Sequence, residues 1–130
     1  MSSQRWWDRP VLAARLLAGL LLVTGVLHFL APGAFASIVP PFLGAPRFWV
    51  AASGVAELGC ALGLAVPRTR RAAGWAIAVL LVVVFPANVQ AAVDALRGSG
   101  SAAVALARLP LQVPLVAAAV LVARRAPRAR

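Results

Sequence analysis

The chain has one glutamate, Glu57, set among apolar residues in the stretch Arg47 to Pro67, RFWVAASGVAELGCALGLAVP. An ionisable group in a membrane-length apolar segment is costly unless it has a partner or a task, so Glu57 is the first candidate for chemistry. Few other polar side chains lie inside such stretches. His28 lies near the end of the first apolar run, Asn88 follows Pro86 in the third, and Arg108 and Gln112 share a helix face in the fourth. A carboxylate and an imidazole exchange protons near neutral pH, side-chain amides hydrogen-bond carbonyls, and Arg108 is the natural counter-charge for Glu57. Together these residues would form a polar pocket able to hold a carbonyl compound and trade protons with it. The competing reading is a network that only fixes helix packing, with His28 bonding loop backbone and Asn88 repairing the break at Pro86, which frees the carbonyl of Val82.

The elements that must position these groups follow from composition. With 62% hydrophobic and 12% charged residues over 130 positions, the chain has too little polar surface for a soluble domain. The expectation is an all-α fold: one integral membrane domain built as an antiparallel bundle of four transmembrane helices, at about 11–31, 47–66, 72–96 and 103–123. Pro32, Pro40, Pro41 and Pro46 rule out a long helix between the first two spans, and the apolar residues among them predict a loop that folds back as a cap. A secretory signal competes for the first run, because Ala34-Phe35-Ala36 resembles a cleavage site. The run is too long for a usual signal core, so a retained helix is expected. On the second span, Ser53, Gly54, Cys60 and Ala61 surround Glu57 with small side chains, and Gly59 and Gly63 form a GxxxG pair on the opposite face. This predicts close packing on both sides. Gly98-Ser99-Gly100-Ser101 reads as a turn, and Asp94 shares a face with Gln90 and lies three residues from Arg97, spacing for an ion pair.

The net charge is +10, but the arginines cluster at the ends of apolar runs rather than on a polar face, which argues against nucleic acid and for membrane topology. With the N-terminus cytoplasmic, Arg5, Arg9, Arg15, Arg68, Arg70, Arg71, Arg124, Arg125, Arg128 and Arg130 fall inside, against Arg47, Arg97 and Arg108 outside. That bias predicts a multi-pass protein of the cell membrane with both termini cytoplasmic. Trp6, Trp7, Trp49 and Trp75 sit where indoles anchor at headgroup level. Counting helical rise from the outer ends, Glu57 is roughly 15 Å deep, Asn88 and Gln112 roughly 12 Å, Arg108 roughly 7 Å, and His28 nearer the edge. The polar side chains thus fall in the outer half of the bundle, above an aliphatic inner half.

The ordered pattern Gly25, His28-Phe29, Pro32, Ile38-Val39-Pro40, Gly54-Val55-Ala56-Glu57, Gly59, Gly63-Leu64, Phe85-Pro86-Ala87-Asn88 and Arg108-Leu109-Pro110-Leu111-Gln112 resembles the DoxX-like membrane proteins, over roughly residues 15 to 120. The resemblance implies a small four-helix membrane protein with a redox association, since the related DoxD branch is linked with quinone-coupled thiosulfate oxidation. It implies no agreed catalytic set, and His28, Glu57, Asn88, Arg108 and Gln112 carry over as pattern members only.

Two functions remain in competition. In one, the chain is the membrane subunit or partner of a redox system, with the polar pocket receiving a quinone or another lipophilic ligand and a partner protein supplying electrons. One histidine cannot give two axial haem ligands, the lone Cys60 can neither hold an iron–sulfur cluster nor form an internal disulfide, and no dinucleotide fingerprint is present. In the other, it is a non-catalytic scaffold or assembly factor that binds a membrane partner, or copies of itself, through small-residue faces. A transporter lacks polar residues in the inner half to complete a path, and a metal site at His28 and Glu57 lacks a third strong ligand.

Overall fold

A computed structural model describes residues 9–127; Arg5, Trp6, Trp7, Arg128 and Arg130 lie outside the described residues. The fold is all-helical, with helices α1 (Arg9–Leu30), α2 (Pro32–Ala36), α3 (Pro46–Ala65), α4 (Arg70–Leu96) and α5 (Ala102–Arg125), and a single 3-10 turn at Pro41–Leu43. Four of these, all but α2, are long and apolar enough to cross a membrane, the architecture of a multi-pass membrane protein. Leu16, Val83 and Val113 are 65 to 72% exposed, an outward apolar face that hydrocarbon solvates and water would not. The four long helices stand in a ring in chain order. Helix α1 packs extensively on α3, and α4 on α5; contacts between α3 and α4, and between α1 and α5, are sparser. Helices α3 and α5 therefore lie across a diagonal.

The larger core cluster sits in one half of the bundle, and a smaller one, Ala91, Ala95 and Ala105 with Ile38 against them, lies toward the α4–α5 turn. Ala14, Leu17 and Leu21 of α1 recur at helical spacing and meet Ala61 and Leu64 of α3, Ile77 of α4, and Ala119 and Val122 of α5. This is the aliphatic half anticipated from the sequence. The α3–α4 turn is closed by α4's own first residues: Thr69 Oγ1 donates to the Gly63 carbonyl and Arg70 Nε to that of Leu64, each at 2.8 Å, supplying α3 with C-terminal partners. At the other end, Gly98 and Gly100 take positive φ and Ser101 caps α5, its hydroxyl accepting from Val104 N at 3.4 Å.

The proline-rich segment is folded. Pro32 opens α2, where its missing N–H costs nothing. Pro40 is buried, α2 packs on α3, and Gly44 at φ +59° reverses the chain into α3. The cap anticipated for this loop is a short helix laid over the α1–α3 end. Pro86, Pro110 and Pro114 lie inside continuous helices, as is tolerated where neighbouring helices repair the backbone.

Candidate functional site in the seam between α1 and α3

Glycines set how closely the two helices approach. A Cβ at Gly25 would lie 3.0 Å from Leu58, and one at Gly54 2.9 Å from His28 Cβ and 2.8 Å from the Phe29 ring. The backbones can therefore come close enough for side chains one helix apart to bond directly. Thr24 Oγ1 and Glu57 Oε2 form a short hydrogen bond of 2.5 Å. The same hydroxyl lies 3.0 Å from the Leu20 carbonyl, yet it has one proton to give. With Glu57 ionised, that proton goes to the carboxylate. With Glu57 neutral, the acid can donate to Thr24 and the hydroxyl can turn to Leu20, so both short contacts are bonded.

His28 Nδ1 lies 2.7 Å from the Thr24 carbonyl. A carbonyl only accepts, so the ring proton sits on Nδ1 and the neutral imidazole keeps its lone pair on Nε2. The same Nδ1 is 3.7 Å from Glu57 Oε2, an ion-pair distance too long for a hydrogen bond. Phe35 of α2 stacks on the imidazole, ring centres 3.9 Å apart at 23°, so the folded cap fixes the ring plane. Both side chains are nearly buried, at 9% and 12% exposed. Even so, His28 Nε2 and Glu57 Oε1, which bond no described residue, are not sealed from their surroundings.

The other candidates lie elsewhere, and the single five-residue pocket anticipated from sequence is divided. Asn88 Nδ2 donates to Gln112 Oε1 at 3.3 Å, and Gln112 Nε2 donates to the Leu81 carbonyl at 2.7 Å, joining α4 to α5. The amide serving backbone near Pro86 is thus Gln112, not Asn88, and its target is one residue before Val82. Arg108 is exposed and lines an outer crevice of about 490 Å³ with Asp94, Ser37 and Ser99. It does not pair with Glu57: α3 and α5 are diagonal, and the ionisable neighbour of Glu57 is His28 on the adjacent α1. Nor does Arg97 pair with Asp94, which accepts instead from Gln90 Nε2 at 2.9 Å. Close packing on the second face of α3 holds only at Gly63, where a Cβ would lie 2.9 Å from Ala73; a Cβ at Gly59 would meet nothing within 4 Å.

Two site residues were not singled out from the sequence: Thr24, one helical turn before His28, and Phe35, one of the apolar residues of the loop. A threonine four residues before a histidine, opposite a span with a lone acid, is the signal that could have placed it. Replacing Gln112 by leucine leaves Leu81 and Asn88 without their partner, which is expected to cost about 1–2 kcal/mol. Thermal unfolding in detergent of both single variants and the Asn88→Leu/Gln112→Leu double variant checks this. The double variant should lose less than the sum.

The sequence profile described as Domain of unknown function (DUF8561) matches residues 17–123. No curated protein and no solved structure matches the chain.

Proposed function

The chain belongs to the DUF8561 family, and from its α1–α3 seam we propose that it is the membrane-embedded partner of a redox system, holding the head group of a quinone-like lipophilic ligand against His28 and Glu57. The observation that carries this reading is the pair of unbonded, unsealed atoms, His28 Nε2 and Glu57 Oε1, on side chains that are otherwise fixed. Reducing a quinone to a quinol takes two electrons and two protons. The partner protein supplies the electrons; Glu57 and protonated His28 can each deliver a proton to a carbonyl oxygen and recover it from bulk. The likeness to DoxX-like proteins supports the redox association. The arginine distribution supports an orientation with both termini cytoplasmic and the seam in the outer half of the membrane. Asn88, Gln112 and Arg108, on other seams, are left to packing and to the outer surface.

Native mass spectrometry of the gently extracted protein, beside Glu57→Gln prepared identically, tests this. An adduct of quinone-like mass is expected on the natural chain, with occupancy roughly tenfold lower in the variant, the scale of a lost bond to a charged group. Circular dichroism of the two should agree. An adduct equally retained by the variant would remove Glu57 from the site.

The second reading, a scaffold, is favoured by a different observation: every sealed polar side-chain atom among the described residues already has a partner. On that reading a protein partner appears in the spectrum, no small adduct does, and Glu57→Gln weakens the fold instead.

A further inference from the structure

One large cavity lies away from the polar seam. It is an apolar groove of about 950 Å³ on the other side of α3, where α3 and α4 diverge, and its walls include Ala56, Gly59, Cys60 and Gly63 of α3 with Trp75 and Val79 of α4. It is shallow-sided, faces the bilayer, and is bounded by residues that bury little of themselves against protein: Gly59, Trp75 and Val79 are all exposed.

Its length and its charge identify the occupant. The lining runs from Ala56 along α3 to its cap Val66 and from Thr69, the cap of α4, to Val83, or roughly 15 and 21 Å of chain at helical rise. The hydrocarbon of one leaflet is about 15 Å deep. The groove therefore traverses one leaflet, beginning at the α3–α4 turn, and fits a lipid chain lying along the membrane normal. At the turn, Arg68, Arg70 and Arg71 flank the lining residues Thr69 and Ala72. Arg70 is held by its bond to the Leu64 carbonyl. Arg68 and Arg71 bond no described residue and pair with no carboxylate among them. Two arginines with no partner among the described residues, at the turn that joins the two walls and next in sequence to the lining residues Thr69 and Ala72, match a phosphate at the end of an acyl chain.

We propose that the α3–α4 groove is a binding site for an anionic phospholipid, one acyl chain lying along Gly59 and Gly63 and the phosphate held by Arg68 and Arg71. The small residues are then what admits the chain, and Cys60 is one of the surfaces it covers. The site is separate from the α1–α3 seam and stands whether or not that seam binds a ligand.

The test is lipid titration of the delipidated full chain in detergent, read by native mass spectrometry, with phosphatidylglycerol and phosphatidylcholine of equal chain length. One phosphatidylglycerol per chain is expected, bound roughly tenfold more tightly than phosphatidylcholine. Arg68→Gln/Arg71→Gln should remove that preference and leave the weaker, neutral binding unchanged. Gly59→Leu should weaken both lipids, because its side chain enters the groove without meeting protein atoms. Ala76→Leu fills the same groove from α4 and should do the same, and thermal unfolding confirms that both filled variants are folded. An unchanged preference in the arginine variant, or lipid binding undiminished in both filled variants, overturns the site. So does a series of equivalent adducts insensitive to all the substitutions, which would be boundary lipid only.

Discussion

Valine in place of Gly74 is expected to separate α4 from α5 and leave no stable bundle. A Cβ at Gly74 would lie 2.8 Å from Ala123 N, 2.9 Å from the Ala119 carbonyl and 3.0 Å from Ala123 Cα. All three are backbone atoms of a helix, which cannot turn aside as a side chain can. Alanine alone should therefore cost about 1–3 kcal/mol, the usual range for overpacking, and valine, branched at the clashing atom, more. Residues beside the contact, Ala73, Ile77, Ala119 and Val122, belong to the main core, so the damage spreads to all four spans. Size-exclusion profiles after heating in detergent would show it as early aggregation. Gly19→Ala is the control: its Cβ meets nothing within 4 Å, and the change should be neutral or stabilising by up to about 1 kcal/mol. If Gly74→Val melts with the natural chain, α4 and α5 do not approach as described.

Leucine at Gly54 is the second large effect, and it acts on the candidate site itself. The new side chain would push between Phe29 and His28 Cβ and drive α1 off α3. Thr24 and His28 would lose Glu57, leaving a carboxyl group in hydrocarbon without its bonds, a loss of a few kcal/mol in stability. Ligand occupancy at the seam should fall with it. The same substitution five residues on, Gly59→Leu, faces the groove and should leave both stability and seam occupancy unchanged. Two leucines on one helix, differing only in face, thus separate seam from groove. Equal melting temperatures for the two variants would contradict the rotational setting of α3.

The spans were legible because apolar length is a strong signal, and each helix runs within a few residues of its anticipated bounds. The seam was partly legible. A lone glutamate among small residues points to a close neighbour, but the counted depths set His28 nearer the edge than Arg108, and the error was in choosing Arg108 to pair with Glu57. Depth is read from the sequence by counting residues, but azimuth around a ring of four helices is not, and only azimuth tells that α5 is diagonal to α3. The same ambiguity made Gly59 and Gly63 look like one packing face, although the divergence of α3 and α4 leaves Gly59 open and Gly63 closed. The proline-rich cap was legible as a fold-back but not as a ring stacked on His28, because that contact depends on turns whose geometry no periodicity encodes.

The polar contacts of this chain also bear on how it enters the membrane. Glu57 finds its partners on α1, the span made before its own. During synthesis the acid thus arrives beside a threonine and a histidine already in place. Asn88 waits only for Gln112, on the very next span, and the two close α4 onto α5. Each half is a helical hairpin that completes its own hydrogen bonds, and what then joins the halves is almost wholly aliphatic. A nascent chain built in this order need never hold an unmatched buried acid while a distant span is still on the ribosome.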